Sequence, residues 1–200
     1  MRIAVVNEVS ARGKNGMILQ ALREAVPVAQ IFNIGMSENG DEPELTYVHT
    51  GLMAALALYS GAADFVVGGC GTGQGFLLSA MQYPGVFCGL ISDPVDAWLF
   101  SQINAGNCAA LALNKGFGWA GDINLRYIFE KLFSDKPGQG FPLHRSESQQ
   151  ASRTALERIG KTTKRGIPEI LQGLDPAIVS RVMCHPAFIQ FMGEYWKIQA

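Results

Sequence analysis

Phe65-Val66-Val67-Gly68-Gly69-Cys70-Gly71-Thr72-Gly73-Gln74-Gly75 runs from a short β-branched segment into a turn rich in glycine. Phe65–Val67 has the composition of a buried strand, and the turn Gly71–Gly75 opens a helix expected over Gly75–Met81. A strand that feeds a helix through a tight glycine turn is half of a βαβ unit.

The same alternation extends in both directions. Further short apolar runs lie at Ile3–Val6, Val28–Ile34, Val86–Ile91 and Cys108–Leu113. Helical patterns separate them at Asn15–Ala25, Thr46–Ser60, Pro94–Asn104 and Ala120–Phe133. Continuous apolar strands with helices between them indicate a parallel sheet covered on both faces. Right-handed crossovers then give a three-layer α/β/α, Rossmann-like domain with a five-stranded parallel sheet.

Composition shifts after Phe133. Ser134–Pro142 carries two prolines and two glycines and reads as a linker. A polar helix is expected over Ser146–Ile159, and shorter segments with one buried face follow from Ile167 to Lys197. Pro168 and Pro176 sit where helices tolerate proline, in the first turn. The aromatic residues Phe188, Phe191, Tyr195 and Trp196 read as packing. The expected division is an α/β domain over 1–145 and a C-terminal helical extension over 146–200.

The 200 residues are 48% hydrophobic and 16% charged, enough for one substantial core. Sixteen basic against seventeen acidic residues leave a net charge of -1, and no basic stripe lies along a helix. A nucleic-acid partner is therefore disfavoured, and a small-molecule ligand fits better. The apolar stretch Leu52–Leu58 falls far short of the roughly 20 residues a membrane helix needs. Cys70, Cys88, Cys108 and Cys184 form no Cys-x-x-Cys pair and no zinc-like cluster with His49, His144 or His185. With no signal peptide legible, a reducing cytoplasm is the simplest home.

In a doubly wound sheet, ligands bind beyond the carboxyl ends of the strands, where the glycine turn lies. Backbone N–H groups there can hold a phosphate or a developing oxyanion. Cys70 stands beside them, and an electropositive turn favours the thiolate form of a cysteine. A thiolate next to N–H donors can abstract a proton beside a carbonyl while the donors hold the enediolate. The alternative is a buried structural cysteine before a packing turn. A dinucleotide site fits less well. Its fingerprint follows the first strand of its unit, whereas these glycines follow the third and are spaced Gly-x-Gly-x-Gly; Asp93 alone lies near the distance expected of the acidic residue. No Gly-Lys-Ser/Thr closes the turn, so a P-loop is excluded.

With these residues, the sequence resembles the ribose 5-phosphate isomerase B / galactose 6-phosphate isomerase family. The resemblance runs through Ala63-Asp64-Phe65-Val66-Val67-Gly68-Gly69-Cys70-Gly71-Thr72-Gly73-Gln74-Gly75, then Pro84-Gly85-Val86 and Asn104-Ala105-Gly106-Asn107. With the opening strand it covers about the first 130 residues. It implies an aldose–ketose isomerase that uses a cis-enediolate and neither metal nor organic cofactor. Cys70 is then the base, Thr72 assists at the sugar oxygens, and the amides of Gly71, Gly73 and Gly75 hold the enediolate. Asn104 binds substrate, and Tyr47 falls in a segment that lines the site in relatives. The resemblance also implies a homodimer or larger assembly, with the site near the subunit interface and arginines from the neighbouring subunit on the phosphate.

The departures are specific. The family's Asp-His pair after the first strand is Glu8-Val9 here, so Glu8 keeps a carboxylate for proton shuttling while the histidine is lost. The family's ring-opening histidine falls at Ile103, which has no acid–base chemistry. The arginine-rich segment is not clearly reproduced; His144-Arg145 is a loose counterpart. Arg12 and Lys14 in the first loop, with Arg145 across a dimer interface, are the candidate phosphate ligands. His49 is a candidate replacement for the lost histidine. One expectation is a substrate that needs no ring opening, such as a tetrose phosphate. A binding or regulatory protein that has lost catalysis on the same scaffold is the other reading.

Overall fold

The computed structural model describes residues 1–40 and 43–193. Tyr195 and Trp196, read above as packing residues, lie outside the described residues. Five strands, β1 (Arg2–Asn7), β2 (Gln30–Asn33), β3 (Phe65–Cys70), β4 (Cys88–Ile91) and β5 (Cys108–Ala112), form one sheet in the order β2-β1-β3-β5-β4. Every neighbouring pair is parallel. This is the expected three-layer α/β/α architecture.

Strand alternation sorts the core onto two faces. Ala4, Val6, Val66, Cys108 and Ala110 meet α2 (Tyr47–Tyr59) and α3 (Gln74–Ala80). Ile3, Val5, Val67, Ala109 and Leu111 meet α1 (Asn15–Ala25), α4 (Pro94–Leu99) and α5 (Gly121–Phe133). Each fully buried aliphatic or phenyl side chain contributes about 1.5–3 kcal/mol of burial free energy. Leu52–Ala57 of α2 are all buried, which explains why that helix reads as a continuous apolar run.

Several boundaries differ from the sequence expectation, three of them for reasons that the packing shows. β2 begins at Gln30, because Val28 sits in a turn after α1 and is 90% exposed. β3 continues through Gly68 and Gly69 to Cys70. Those two glycines serve packing, since a Cβ on Gly68 would run into the Phe76 ring and one on Gly69 would lie 2.6 Å from the Leu111 carbonyl oxygen. The helix from Pro94 is α-helical only to Leu99 and closes as a π-turn over Phe100–Asn104, ending on Ala105 at φ 44. Asp93, the acidic candidate of the dinucleotide reading, caps α4 by accepting the N–H groups of Val95 and Asp96 at 2.8 and 2.9 Å.

The C-terminal segment forms α6 (Ser146–Thr163), α7 (Ile167–Gly173), α8 (Pro176–Met183) and α9 (Pro186–Met192). The α6 helix runs past the expected end at Ile159 and buries none of its residues. Beyond it the chain returns to the core: Ile167, Val182, Phe188 and Met192 join the α2/α3 face, and Phe191 packs on Phe32 of β2 with ring centroids 5.0 Å apart. The Lys164 ammonium fastens this return by donating to the carbonyls of Met81 and Tyr83 at 2.6 and 3.0 Å. Burial pulls the Lys164 ammonium below its ordinary pKa. Among the described residues no helix is long and apolar enough to cross a membrane.

Candidate active site

β1 and β3 are neighbours in the sheet, and the chain leaves them for opposite edges, to β2 and to β4. A sheet of this kind has its crevice at such a switch point, beyond the carboxyl ends of the two strands. The loop after β1 carries Glu8 to Lys14, and the loop after β3 carries Gly71 to Gly73. The topology therefore brings Glu8, Arg12 and Lys14 to the end of the sheet that carries Cys70.

Cys70 is the last residue of β3 and is 6% exposed. Its carbonyl accepts the Leu113 N–H at 3.1 Å, so the peptide leading into the turn is held by the strand beside it. Gly73 then takes φ 75 and caps α3, with Leu90 Cδ1 2.5 Å from where a Cβ would stand. Only glycine meets both conditions without strain. Thr72 is exposed between them. At the far end of the turn, Gly75 lies against the Tyr47 ring, 2.9 Å from an added Cβ to Cδ1.

The first loop is tied directly to this turn. Glu8 is 4% exposed, and its Oε1 accepts both the Ser10 N–H, at 3.1 Å, and the Ser10 hydroxyl. The same Ser10 Oγ accepts the Gly71 N–H at 3.0 Å. Asn114, just past β5, donates its side-chain amide to the Ser10 carbonyl at 2.9 Å and its own N–H to the Gly71 carbonyl at 2.9 Å. Three loops thus converge on the peptide that follows Cys70. The Gly71 amide, expected among the donors to an enediolate, is engaged by Ser10. Neither Ser10 nor Asn114 was singled out from the sequence, because their contacts to Gly71 span 61 and 43 residues of chain.

The charged candidates divide. Arg12 and Lys14 form a 3-10 turn directly before α1; Arg12 is half-buried, and the Lys14 ammonium lies 5.2 Å from the centre of the Phe117 ring. His49 belongs to the start of α2: its Nδ1 accepts the Thr46 N–H at 3.0 Å in a capping box. Partial burial, and secondarily the Arg181 charge, lower its pKa from the ordinary 6.5. That favours the neutral ring which the cap requires. The structure thus engages the Nδ1 of His49 as a helix cap.

Asn104 and Arg145 are not brought to Cys70 within one chain. Cys70 pairs with Ala112 at the carboxyl end of β5, and Cys108 at the other end pairs with Val66. Those four residues of strand span about 13 Å, and Asn104 lies a further loop away on the amino-terminal side. There it lines an open pocket of about 390 Å³ with Ile103, Cys88, Gln149, Arg153 and Leu156. Arg153 of α6, which the sequence reading missed, donates to the Ile103 carbonyl at 3.1 Å and the Gly138 carbonyl at 3.0 Å, fixing the end of the π-turn. Arg145 is exposed at the entry to α6, with its Nε on Ser148 Oγ at 3.4 Å. Among the described residues no group of three or more His, Cys, Asp or Glu is placed to hold a metal ion.

A family model described as Ribose/Galactose Isomerase matches residues 3–128. Among solved structures, a 4-deoxy-L-threo-5-hexosulose-uronate ketol-isomerase complexed with a tartrate is 41% identical, with a TM-score of 0.95 over 98% of this chain and 92% of that one. A ribose-5-phosphate isomerase from Vibrio parahaemolyticus is 42% identical, with a TM-score of 0.93 over the same shares, 98% and 92%. A type B ribose 5-phosphate isomerase from Leishmania infantum, 20% identical at a TM-score of 0.68 over 80% of this chain and 97% of that one, shares the fold. No match was found among curated protein sequences.

Proposed function

The chain belongs to the ribose/galactose isomerase family, and from that premise we propose that it is an aldose–ketose isomerase in which Cys70 is the base. The observation that carries this reading is Cys70 at the switch point of the sheet, at the mouth of the glycine turn and one peptide from the Glu8–Ser10 pair. Cys70 as thiolate takes the proton from C2 of the aldose. The C–H electron pair forms the C1–C2 double bond while the carbonyl pair moves onto O1, giving a cis-enediolate. Backbone donors of the turn and the Thr72 hydroxyl hold its oxygens, and Cys70 returns the proton to C1. One hydrogen moves from C2 to C1 and one from O2 to O1. No electrons are gained or lost overall, so the reaction needs no redox cofactor.

For the substrate, Ile103 at the ring-opening position favours a sugar that is already open. A 4-deoxy-5-hexosulose uronate, the class named for one relative, has a carbonyl at C5 and no hydroxyl at C4, so neither usual ring-closing oxygen is available. Its acidic end is a carboxylate, which asks for less positive charge than a phosphate and suits a chain that lacks the arginine-rich segment. Arg12 lies at the same end of the sheet as Cys70 and is the local cation for it. The functional unit is a homodimer in which Asn104 of a second copy completes the site, since one chain keeps its own Asn104 at the far end of β5.

A panel of the deoxyhexosulose uronate, a tetrose phosphate, ribose 5-phosphate and a six-carbon sugar phosphate tests this reading. The expected result is ketose formation fastest from the uronate. A clear preference for ribose 5-phosphate would contradict the substrate, and binding without turnover of any of them would favour a non-catalytic sugar-binding protein.

A further inference from the structure

We infer that Ser10 is the group through which the buried Glu8 exchanges protons with the substrate oxygens, a relay that rests on the isomerase reading above. Glu8 stands where a proton shuttle is needed, yet it is 4% exposed. Ser10 is exposed, and its backbone N–H and hydroxyl both lie on Glu8 Oε1. A proton reaching that oxygen from the crevice therefore passes the Ser10 hydroxyl. The neighbouring residue offers no other route, because Val9 sends its N–H to the Leu45 carbonyl at 2.9 Å and its side chain into the core. The turn that Ala11 N–H closes on the Glu8 carbonyl at 3.0 Å folds Ser10 back onto the Glu8 carboxylate and leaves Val9 packed on the core.

Three contacts fix the hydroxyl in place. Ser10 Oγ accepts the Gly71 N–H at 3.0 Å, Asn114 holds the Ser10 carbonyl at 2.9 Å, and Asn114 N–H holds the Gly71 carbonyl at 2.9 Å. The hydroxyl thus sits on the peptide that directly follows Cys70, with its proton toward the carboxylate and a lone pair toward the amide. That N–H disfavours positive charge on Oγ and stabilises negative charge on it, so the hydroxyl gives up its proton to Glu8 more readily than a free serine would.

The exchange balances. The O2–H proton passes to Ser10 Oγ as the Oγ proton passes to Glu8 Oε1; the reverse pair of transfers then delivers a proton to O1. Ser10 and Glu8 end as they began, while Cys70 separately carries the C2 hydrogen to C1. Ser10 supplies a hydroxyl route at the place where the family's histidine, here Val9, is missing.

The test is a kinetic cycle on the full-length protein with Ser10→Ala, Glu8→Gln, the double variant and Ser10→Thr. The relay predicts a fall in kcat of about a hundredfold or more for Ser10→Ala with little change in KM. Ser10→Thr, which keeps the hydroxyl, recovers most of that loss. The double variant is no slower than the slower single variant, because both changes interrupt one path. Losses that multiply in the double variant, or full kcat in folded Ser10→Ala, would overturn the relay while leaving Cys70 and the isomerase reading intact. Absence of turnover by the wild-type protein on every sugar would remove the isomerase reading and the relay together.

Discussion

Cys70, Gly73 and Ser10 show how unevenly a sequence reveals a site. Cys70 and the glycines are legible because their roles are local: a thiol, a turn and a helix start follow one another along the chain. Ser10 is not, since its partner Gly71 is 61 residues away and only the pairing of β1 with β3 brings them together. The same pairing explains why the Gly71 amide is engaged by Ser10 although the motif alone offers it to a ligand. Gly73 gives a direct check at this scale. Its φ of 75, with Leu90 Cδ1 2.5 Å and the Leu111 carbonyl carbon 3.0 Å from an added Cβ, leaves Ala no relaxed fit. Gly73→Ala is expected to cost about 1–3 kcal/mol of stability, read from the urea midpoint at unchanged m-value. An unaltered midpoint would show that the turn tolerates a side chain.

At the scale of elements, all five strands and the helices between them follow from the alternation of short apolar runs with helical patterns. The boundaries that moved did so for tertiary reasons. Gly68 and Gly69 look like turn residues in isolation but are strand residues that admit the Phe76 ring and the Leu111 carbonyl. The π-turn over Phe100–Asn104 has no local sequence signal; its last carbonyls are held by Gly138, Gly140 and Arg153 from distant parts of the chain. The α2 capping box carries a pH prediction. Burial, then Arg181, lowers the His49 pKa in the folded protein below its ordinary 6.5. Between the lowered value and 6.5 the unfolded chain binds more protons, so stability rises with pH there. The contribution is complete above 6.5 and is lost as pH falls through the folded value. Thermal unfolding across that range is expected to show a falling Tm on acidification, and His49→Gln, which keeps an acceptor at the third helical position, should flatten this part of the dependence. An unchanged slope in His49→Gln would place the titration elsewhere.

Over the whole molecule, the sheet separates groups that the proposed chemistry would bring together. Cys70, Glu8 and Ser10 occupy the carboxyl end of the strands, while Asn104 and Arg153 stand by the amino end of β5. The motif Asn104-Ala105-Gly106-Asn107 was legible as a unit, yet its two asparagines do different work: Asn107 ties Phe87 N–H and the Gly85 carbonyl at 2.9 and 2.8 Å, and Asn104 stays exposed. A second copy supplying Asn104 makes a specific expectation. Cys70→Ala and Asn104→Ala are each inactive alone, but refolded together at equal amounts they regain roughly a quarter of the wild-type sites by random pairing into dimers. No recovery would contradict the supply of Asn104 by a second copy. The most direct measurement of the central claim is simpler: turnover of the deoxyhexosulose uronate and of ribose 5-phosphate by wild type and by Cys70→Ala of equal Tm. The account predicts that wild type converts the uronate and that Cys70→Ala loses at least about three orders of magnitude in kcat, whereas an undiminished rate in that variant would contradict it.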